Sequence, residues 1–298
     1  GASQRVFEYI DRPQRIIGYF YSRTLIVAVV GRLVGARVVL TGGADQIAPA
    51  AMSGKRAVIH RILAFACLLF AHRILTTCRE DEANFRALAC GIGPLLRKVG
   101  RAPHAVVPPA VPRAADRDSE ILRFITLCWM GSEGNVRRKG VDKAVRLVAL
   151  LRGTGAKIVL DVAGTDGPGR ALLDVVVEAC GAGDFVTFLG PISETRKADL
   201  FGRAHAYLQL SEYEGFGVAA AEAMLAGLVV VHSGKGGLAD AVGECGLVVP
   251  LDLTTLEDVD LASDLVNRIA NFRASENGLA AKAREFSLEN RAKNLLDA

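Results

Sequence analysis

The residues best suited to chemistry lie in one short segment, 211–227, which contains Ser211, Glu214, Gly215, Phe216, Gly217, Val218 and Glu222. Glu214 and Glu222 are carboxylates, which accept hydrogen bonds from adjacent hydroxyls such as those of a sugar or a ribose. Between them, Gly215 and Gly217 lack a Cβ, so the backbone there can turn sharply and come close to a ligand. An apolar run from Val218 opens a helix, whose first N–H groups would face an anion such as a diphosphate. The same residues would equally describe a plain helix entry with acidic side chains near its positive end. A second cluster, Arg137, Arg138 and Lys139 followed by Gly140, is expected in the loop after a strand. Cations at the carboxyl end of a strand suit a phosphate, although a solvated basic turn before a helix has the same composition.

These segments need a frame, and the second half of the chain supplies one. Apolar β-type runs at 124–129, 158–162, 185–189, 206–210, 228–231 and 246–249 alternate with helical stretches such as 141–152, 170–180, 193–203 and 218–226. Continuously apolar strands separated by single helices imply a parallel sheet covered on both faces. Ligands of such sheets bind at the carboxyl ends of the strands, and both clusters fall on that edge. The first half is less regular. Strands are expected at 37–40, 74–77 and 105–107 and helices at 54–71 and 80–89, the latter part of 54–71 reading as a buried core helix. Residues 16–40 are apolar but interrupted by Arg23, Arg32 and Arg37. The proline-rich stretch 108–112 and the polar 113–120 mark a linker.

Length and composition set the bounds. At 298 residues the chain exceeds the ~250 at which one core usually stops growing, so two domains are expected. With 51% apolar and 23% charged residues it is well cored, which excludes a disordered chain. Cys67, Cys78, Cys90, Cys128, Cys180 and Cys245 form no C-x-x-C pair and read as buried, reduced thiols of a cytoplasmic protein. The five histidines have no metal-like spacing. The opening residues lack the pattern of a signal peptide, and no apolar run reaches the ~20 residues of a membrane span. Charge is uneven: residues 1–115 hold 16 Lys and Arg against 6 Asp and Glu, while the remainder holds 20 against 26. A basic first domain suits an anionic membrane surface or an anionic acceptor; scattered solvated charge would look the same.

Together the motifs resemble those of the family-4 retaining glycosyltransferases (glycosyl transferases group 1), which have the GT-B fold. Lys139, Gly140, Val141 and Asp142 are similar to the family's K-G-x-D. Residues 214–227 are similar to E-G-F-G-x(4)-E-A-M-A-x-G, with Leu225 in place of the usual Ala. Phe188, Leu189 and Gly190 with Pro191 and Ile192 resemble its F-x-G strand exit. Residues 236–242 resemble its G-G-x-x-E-x-V loop, and 286–292 its last helix, which often crosses back to the first domain. The resemblance is strong over 105–298 and weak over 37–104.

The resemblance implies an α/β protein of two Rossmann-like domains with parallel sheets. The expected division is 1–113 for an acceptor-side domain, 120–285 for a donor-binding domain and 286–298 for the last helix. By the same resemblance, Glu214 holds the donor sugar's hydroxyls, Glu222 those of the ribose, and Lys139 with Arg138 neutralises the diphosphate. The backbone of Gly215, Phe216, Gly217 and Val218 meets sugar and diphosphate, and the backbone of Ile192 meets the base. No cofactor or essential metal is expected. The implied reaction is retaining transfer from a UDP- or GDP-type sugar to a glycan or lipid-linked hydroxyl, in surface polysaccharide or glycolipid assembly. It would take place in the cytoplasm, at the inner face of the membrane, with no role for nucleic acid.

Three departures stand out. Ser132 follows Gly131 where the family carries the Arg of V-G-R, leaving Arg137 or Arg138 to substitute. The first-domain loop 42–45 holds no His; Asp45 is either its replacement or, the simpler reading, a loop cap. No strand and glycine-rich loop is legible in 1–36, so the front of the first domain is expected to be missing or reduced. A binding protein that retains the donor site without catalysis is the alternative. A nicotinamide oxidoreductase is disfavoured, because residues 130–135 lack G-x-G-x-x-G.

Overall fold

The computed structural model describes residues 14–19, 21, 24–43, 47–48, 54–111 and 120–298. It divides into two compact units, one comprising Gly1–Ala105 with Leu288–Ala298 and the other Val106–Ser287. Asp45 and the polar linker stretch 113–119 lie outside the described residues.

The first unit runs β1 (Arg15–Tyr19), α1 (Leu25–Leu33), β2 (Arg37–Gly42), α2 (Gly54–Phe70), β3 (Arg73–Thr76), α3 (Arg79–Leu88), α4 (Gly93–Leu96) and β4 (Val99–Arg101). Its sheet is parallel in the order β1-β2-β3-β4. Right-handed crossovers between successive neighbours put the connecting helices on one face. Period-two alternation along β2 then separates two small cores. Val38 and Leu40 pack with Cys67, Leu68, Ile74 and Phe85 on one side, while Val39 packs with Leu75, Ala102 and Leu295. Leu295 belongs to the last helix of the chain, described below.

Three expectations for this half need correction. Residues 15–33 do form a strand and a helix; β1 is an edge strand in which only Gly18 is buried, so it carries no apolar run. Residues 105–107 form no strand, and the fourth strand is Val99–Arg101 instead. It holds a single apolar side chain, and pairing with β3 rather than its own pattern defines it. Finally, the latter part of α2 is buried on one side only: Ala64, Cys67 and Leu68 face the core, but Ile62, Leu69 and Phe70 are exposed.

The second unit runs β5 (Leu122–Leu127), α5 (Glu133–Lys139), α6 (Val141–Gly153), β6 (Ile158–Ala163), α7 (Arg170–Ala179), β7 (Val186–Gly190), α8 (Glu194–Arg203), β8 (Ala206–Gln209), α9 (Val218–Leu225), β9 (Val229–His232), α10 (Leu238–Ala241) and β10 (Leu247–Val248). It closes with α11 (Val259–Asn271) and α12 (Glu276–Glu285). The last helix, α13 (Leu288–Leu296), belongs to the first unit. The six-stranded sheet has the order β10-β9-β8-β5-β6-β7, every pair parallel. This is a doubly wound sheet whose order reverses between β5 and β8, the position at which such sheets open a ligand crevice. Phe124 and Leu208 serve the core on one face and Ile125 and Tyr207 that on the other. The described cysteines are all free, though Cys90 is exposed and Cys180 only half-buried, against the expectation of burial throughout.

Candidate functional site

The basic triplet lies not in a loop but in the last turn of α5. Ser132 caps that helix by accepting from the Asn135 N–H at 3.1 Å. Three cations at a helix C-terminus complement its dipole and stabilise this short helix. Gly140 then stops α5 at φ 67° and opens α6. A Cβ there would sit 1.9 Å from the Leu210 carbonyl oxygen, so the approach of α5 to the end of β8 requires glycine. The main chains are tied together as well, with Glu212 N–H donating to the Arg138 carbonyl at 2.8 Å.

This junction sets Lys139 against Glu214. Its Nζ lies 2.6 and 2.8 Å from the two carboxylate oxygens, and both side chains are mostly buried. Glu214 is held from behind by a buried relay. Tyr207 donates to Gln209 Oε1 at 2.8 Å, Gln209 Nε2 to Ser211 Oγ at 2.7 Å, and Ser211 Oγ to Glu214 Oε2 at 3.2 Å. Residues 207, 209 and 211 share one side of the strand because side chains alternate. Arg138 donates to Asn135 Oδ1 at 2.9 Å and to the Tyr213 carbonyl at 3.3 Å. Asn135 in turn donates to the Trp129 carbonyl.

After Glu214 the chain turns into α9. Gly217, at φ 89°, is its N-cap, and a Cβ would meet Leu238 at 2.7 Å. Phe216 is buried with its ring against Phe286, so only its backbone faces outward chemistry. The Gly237 N–H donates to the Glu214 carbonyl at 2.6 Å and straps the loop. One turn into α9, Glu222 accepts from Lys197 Nζ at 2.9 Å, and Lys197 also reaches Glu194 at 2.7 Å. The Lys197 side chain is 10% exposed and that of Glu222 16%. Burial alone would lower the Lys197 pKa, but its hydrogen bonds to Glu194 and Glu222 outweigh that and hold it above the usual lysine value.

A cavity of about 600 Å³ opens at this edge, lined among others by Trp129, Asn135, Arg138, Lys139, Ile192, Lys197, Val218 and Glu222. The structure therefore brings together Arg138, Lys139, Ile192, Val218 and Glu222, with Glu214 attached through Lys139. Arg137 lies elsewhere, lining a separate hollow with Asp142 and Arg146, so of the two arginines considered only Arg138 reaches the cavity. Lys197 and Trp129 escaped the sequence reading. Nothing adjacent to Lys197 marks it, and its partner Glu222 is 25 positions away. The apolar run 124–129 puts Trp129 in a strand, but β5 ends two residues earlier, leaving Trp129 65% exposed on the exit loop. The histidines hold backbone: His72, His205 and His232 each accept from a main-chain N–H through Nδ1.

Two units with parallel sheets wound by helices, one carrying a charged cavity at its topological switch point, define a GT-B glycosyltransferase-type protein. The model of the family described as "Glycosyl transferases group 1" matches residues 134–284, and the chain belongs to that family. It is 32% identical over 179 residues to a 2-deoxystreptamine glucosyltransferase of Streptomyces kanamyceticus, covering 57% of this chain and 45% of that protein. It is 36% identical over 146 residues to a D-inositol 3-phosphate glycosyltransferase of Rhodococcus opacus, covering 47% and 32%. The chain thus spans less than half the length of these relatives. Among solved structures, sucrose-phosphate synthase from Thermosynechococcus elongatus superposes with a TM-score of 0.74 at 21% identity, over 99% of this chain and 75% of that one. Anabaena Alr3699/HepE, in complex with UDP and glucose, superposes at 0.72 and 16% identity, over 99% and 79%.

Proposed function

We propose that this chain transfers a sugar, with retention, from a nucleotide-diphosphate-sugar to an acceptor hydroxyl. The observation that carries the proposal is the pairing of two carboxylates with two lysines, Lys139–Glu214 and Lys197–Glu222, around one cavity at the switch point of the sheet. Each lysine keeps a carboxylate oriented in a partly buried place, where a bare carboxylate facing a diphosphate would be unfavourable. In the proposed binding mode Glu222 accepts from the ribose diol and Glu214 from hydroxyls of the transferred sugar. Lys139, Arg138 and the N–H groups from Gly215 to Val218 face the diphosphate, and the Ile192 main chain meets the base. The acceptor oxygen forms a bond to the anomeric carbon on the face the diphosphate leaves. The bond from that carbon to the diphosphate breaks, and the acceptor's proton passes to a diphosphate oxygen. Catalysis then rests on positioning and on stabilising the leaving diphosphate with the chain's own cations.

The UDP seen with Anabaena Alr3699/HepE supports a UDP-type donor, with a GDP-type donor as the other choice. The relatives include, by name, a 2-deoxystreptamine glucosyltransferase, a D-inositol 3-phosphate glycosyltransferase and an O-antigen chain mannosyltransferase of Escherichia coli. We place the acceptor among glycans or lipid-linked glycans of surface polysaccharide or glycolipid assembly, and the work at the cytoplasmic face of a membrane.

A thermal-shift panel of nucleotide-sugars identifies the donor, because a ligand that binds the native state raises stability by mass action. With that donor, Glu222→Ala and Lys139→Ala are expected to lower transfer by about 100-fold or more and to weaken nucleotide binding. Wild-type rates and affinities in both variants would refute the assignment. Donor binding without turnover by the wild-type chain would instead identify a nucleotide-sugar-binding protein.

A further inference from the structure

The first unit carries an apolar surface that its own sheet does not use. In α1, Ala28 and Gly31 face the sheet, while Ile26 is 76% and Leu33 81% exposed, with Val30 half-exposed between them. These positions are spaced i, i+4, i+7 and form one stripe. In α2 Val58 and Ile62 are four apart and Ile59 and Ile62 three apart, which puts all three on the outer side, and Ile62 is 63% exposed. The two helices pack against each other on one face of the sheet, so the two stripes lie side by side on neighbouring helices. Isolated exposed apolar residues are ordinary, but six large exposed aliphatic side chains on two adjoining helices mark an interaction surface.

The charge around these side chains selects the occupant of the surface. Arg32 on α1 and Lys55, Arg56 and Arg61 on α2 are exposed, and neither helix contains an acidic residue. From residue 12 to residue 79 the only acid is Asp45. Aliphatic side chains rimmed by long cationic ones fit the boundary between lipid headgroups and acyl chains. There the apolar tips enter, and the cations extend their stems along the surface to meet negative headgroups. An interface with a water-soluble partner would be expected to balance such a rim with some acidic groups.

We propose that α1 and α2 form a docking surface for an anionic lipid bilayer. This makes the proposed location specific to one face and is independent of the donor chemistry. No helix among the described residues is long and apolar enough to cross a membrane, so the contact is one of lying on the surface.

The test is co-sedimentation of the whole chain with phosphatidylcholine vesicles, with and without phosphatidylglycerol, at low and high salt. Binding is expected only with phosphatidylglycerol and should weaken as salt rises. Lys55→Glu/Arg61→Glu should reduce binding by at least about 25-fold, roughly fivefold for each cation removed. Ile26→Ser/Ile62→Ser should reduce it about tenfold or more. All four positions are exposed, so circular dichroism and nucleotide-induced thermal shift should match wild type in both variants. That also separates failure here from failure of the donor-site proposal. The inference is overturned if the folded wild-type chain ignores anionic vesicles at low salt, or if neither double variant weakens binding. It is equally overturned if the chain is a stable dimer that Ile26→Ser/Ile62→Ser converts to monomer.

Discussion

At the scale of single residues, Lys197 sets the chemistry of Glu222. Its bond to Glu194 adds little, because Glu194 is 85% exposed and solvent screens the pair. The bond to Glu222 is different, since both partners are largely withdrawn from water. Replacing Lys197 by Met would leave a carboxylate uncompensated in the cavity wall, a loss of about 1.5–3 kcal/mol for a charged hydrogen bond. Lys197→Met should therefore weaken nucleotide binding by about 10- to 100-fold, with Lys197→Arg recovering part. The preference for a ribonucleotide over its 2′-deoxy analogue should shrink in the Met variant, which calorimetry with both nucleotides would measure. An unchanged preference would mean that the pair only fastens α8 to α9. Because the Lys197 pKa is raised, this interaction is fully present at neutral pH and is lost only as pH rises through that elevated value.

At the scale of elements, the site depends on how α5 meets α6. Gly140 serves as the left-handed end of one helix and the start of the next, and lies against the Leu210 carbonyl. Gly140→Ala combines a disfavoured φ with a backbone collision and should cost more than about 2 kcal/mol, read as a lower denaturant midpoint. Lys139, the preceding residue, should be displaced along with it. Gly153, at the other end of α6, has open space around its Cβ direction. Gly153→Ala should be neutral or slightly stabilising, which makes it the internal control. Equal behaviour of the two variants would mean that neither the left-handed φ nor the contact with Leu210 constrains Gly140. The motif K-G-x-D could be read without coordinates because its residues are contiguous. That its lysine ends a helix could not, since α5 has only seven residues and no apolar periodicity of its own.

At the scale of the whole molecule, the chain's last helix completes its first unit. Arg291 of α13 is buried and donates to Thr41 Oγ1 at 2.7 Å and to the Pro103 carbonyl at 3.1 Å. Burial first, and then the Arg291 charge, lower the His104 pKa to about 4. A histidine with a depressed folded pKa binds fewer protons than in the unfolded chain. Its stabilising effect is present above pH 6.5 and is lost as pH falls toward 4. Denaturant unfolding should show the protein about 2 kcal/mol less stable at pH 5 than at pH 7 from this group, a difference that His104→Asn should reduce. His72 and His232, also depressed chiefly by burial, act in the same direction, so a residual slope should persist in the variant. A flat profile in the wild type would contradict the burial of all three.

The sequence by itself determined the class of the second unit, its strand and helix alternation, and the segment proposed as its site. Those signals are local: apolar runs, a glycine-rich turn, and two glutamates on one loop and helix. It determined less of the first unit, where β1 and β4 are strands only because β2 and β3 offer them partners. Tertiary structure alone decided which charges meet. Lys197 reaches Glu222 because β8 lies beside β5 and brings α8 next to α9, and Arg291 reaches Thr41 across 250 positions of chain. Spacing along a chain is felt by hydrogen-bonded helices and strands, whereas ion pairs and buried cations depend on distance in space, which only the packed sheet sets.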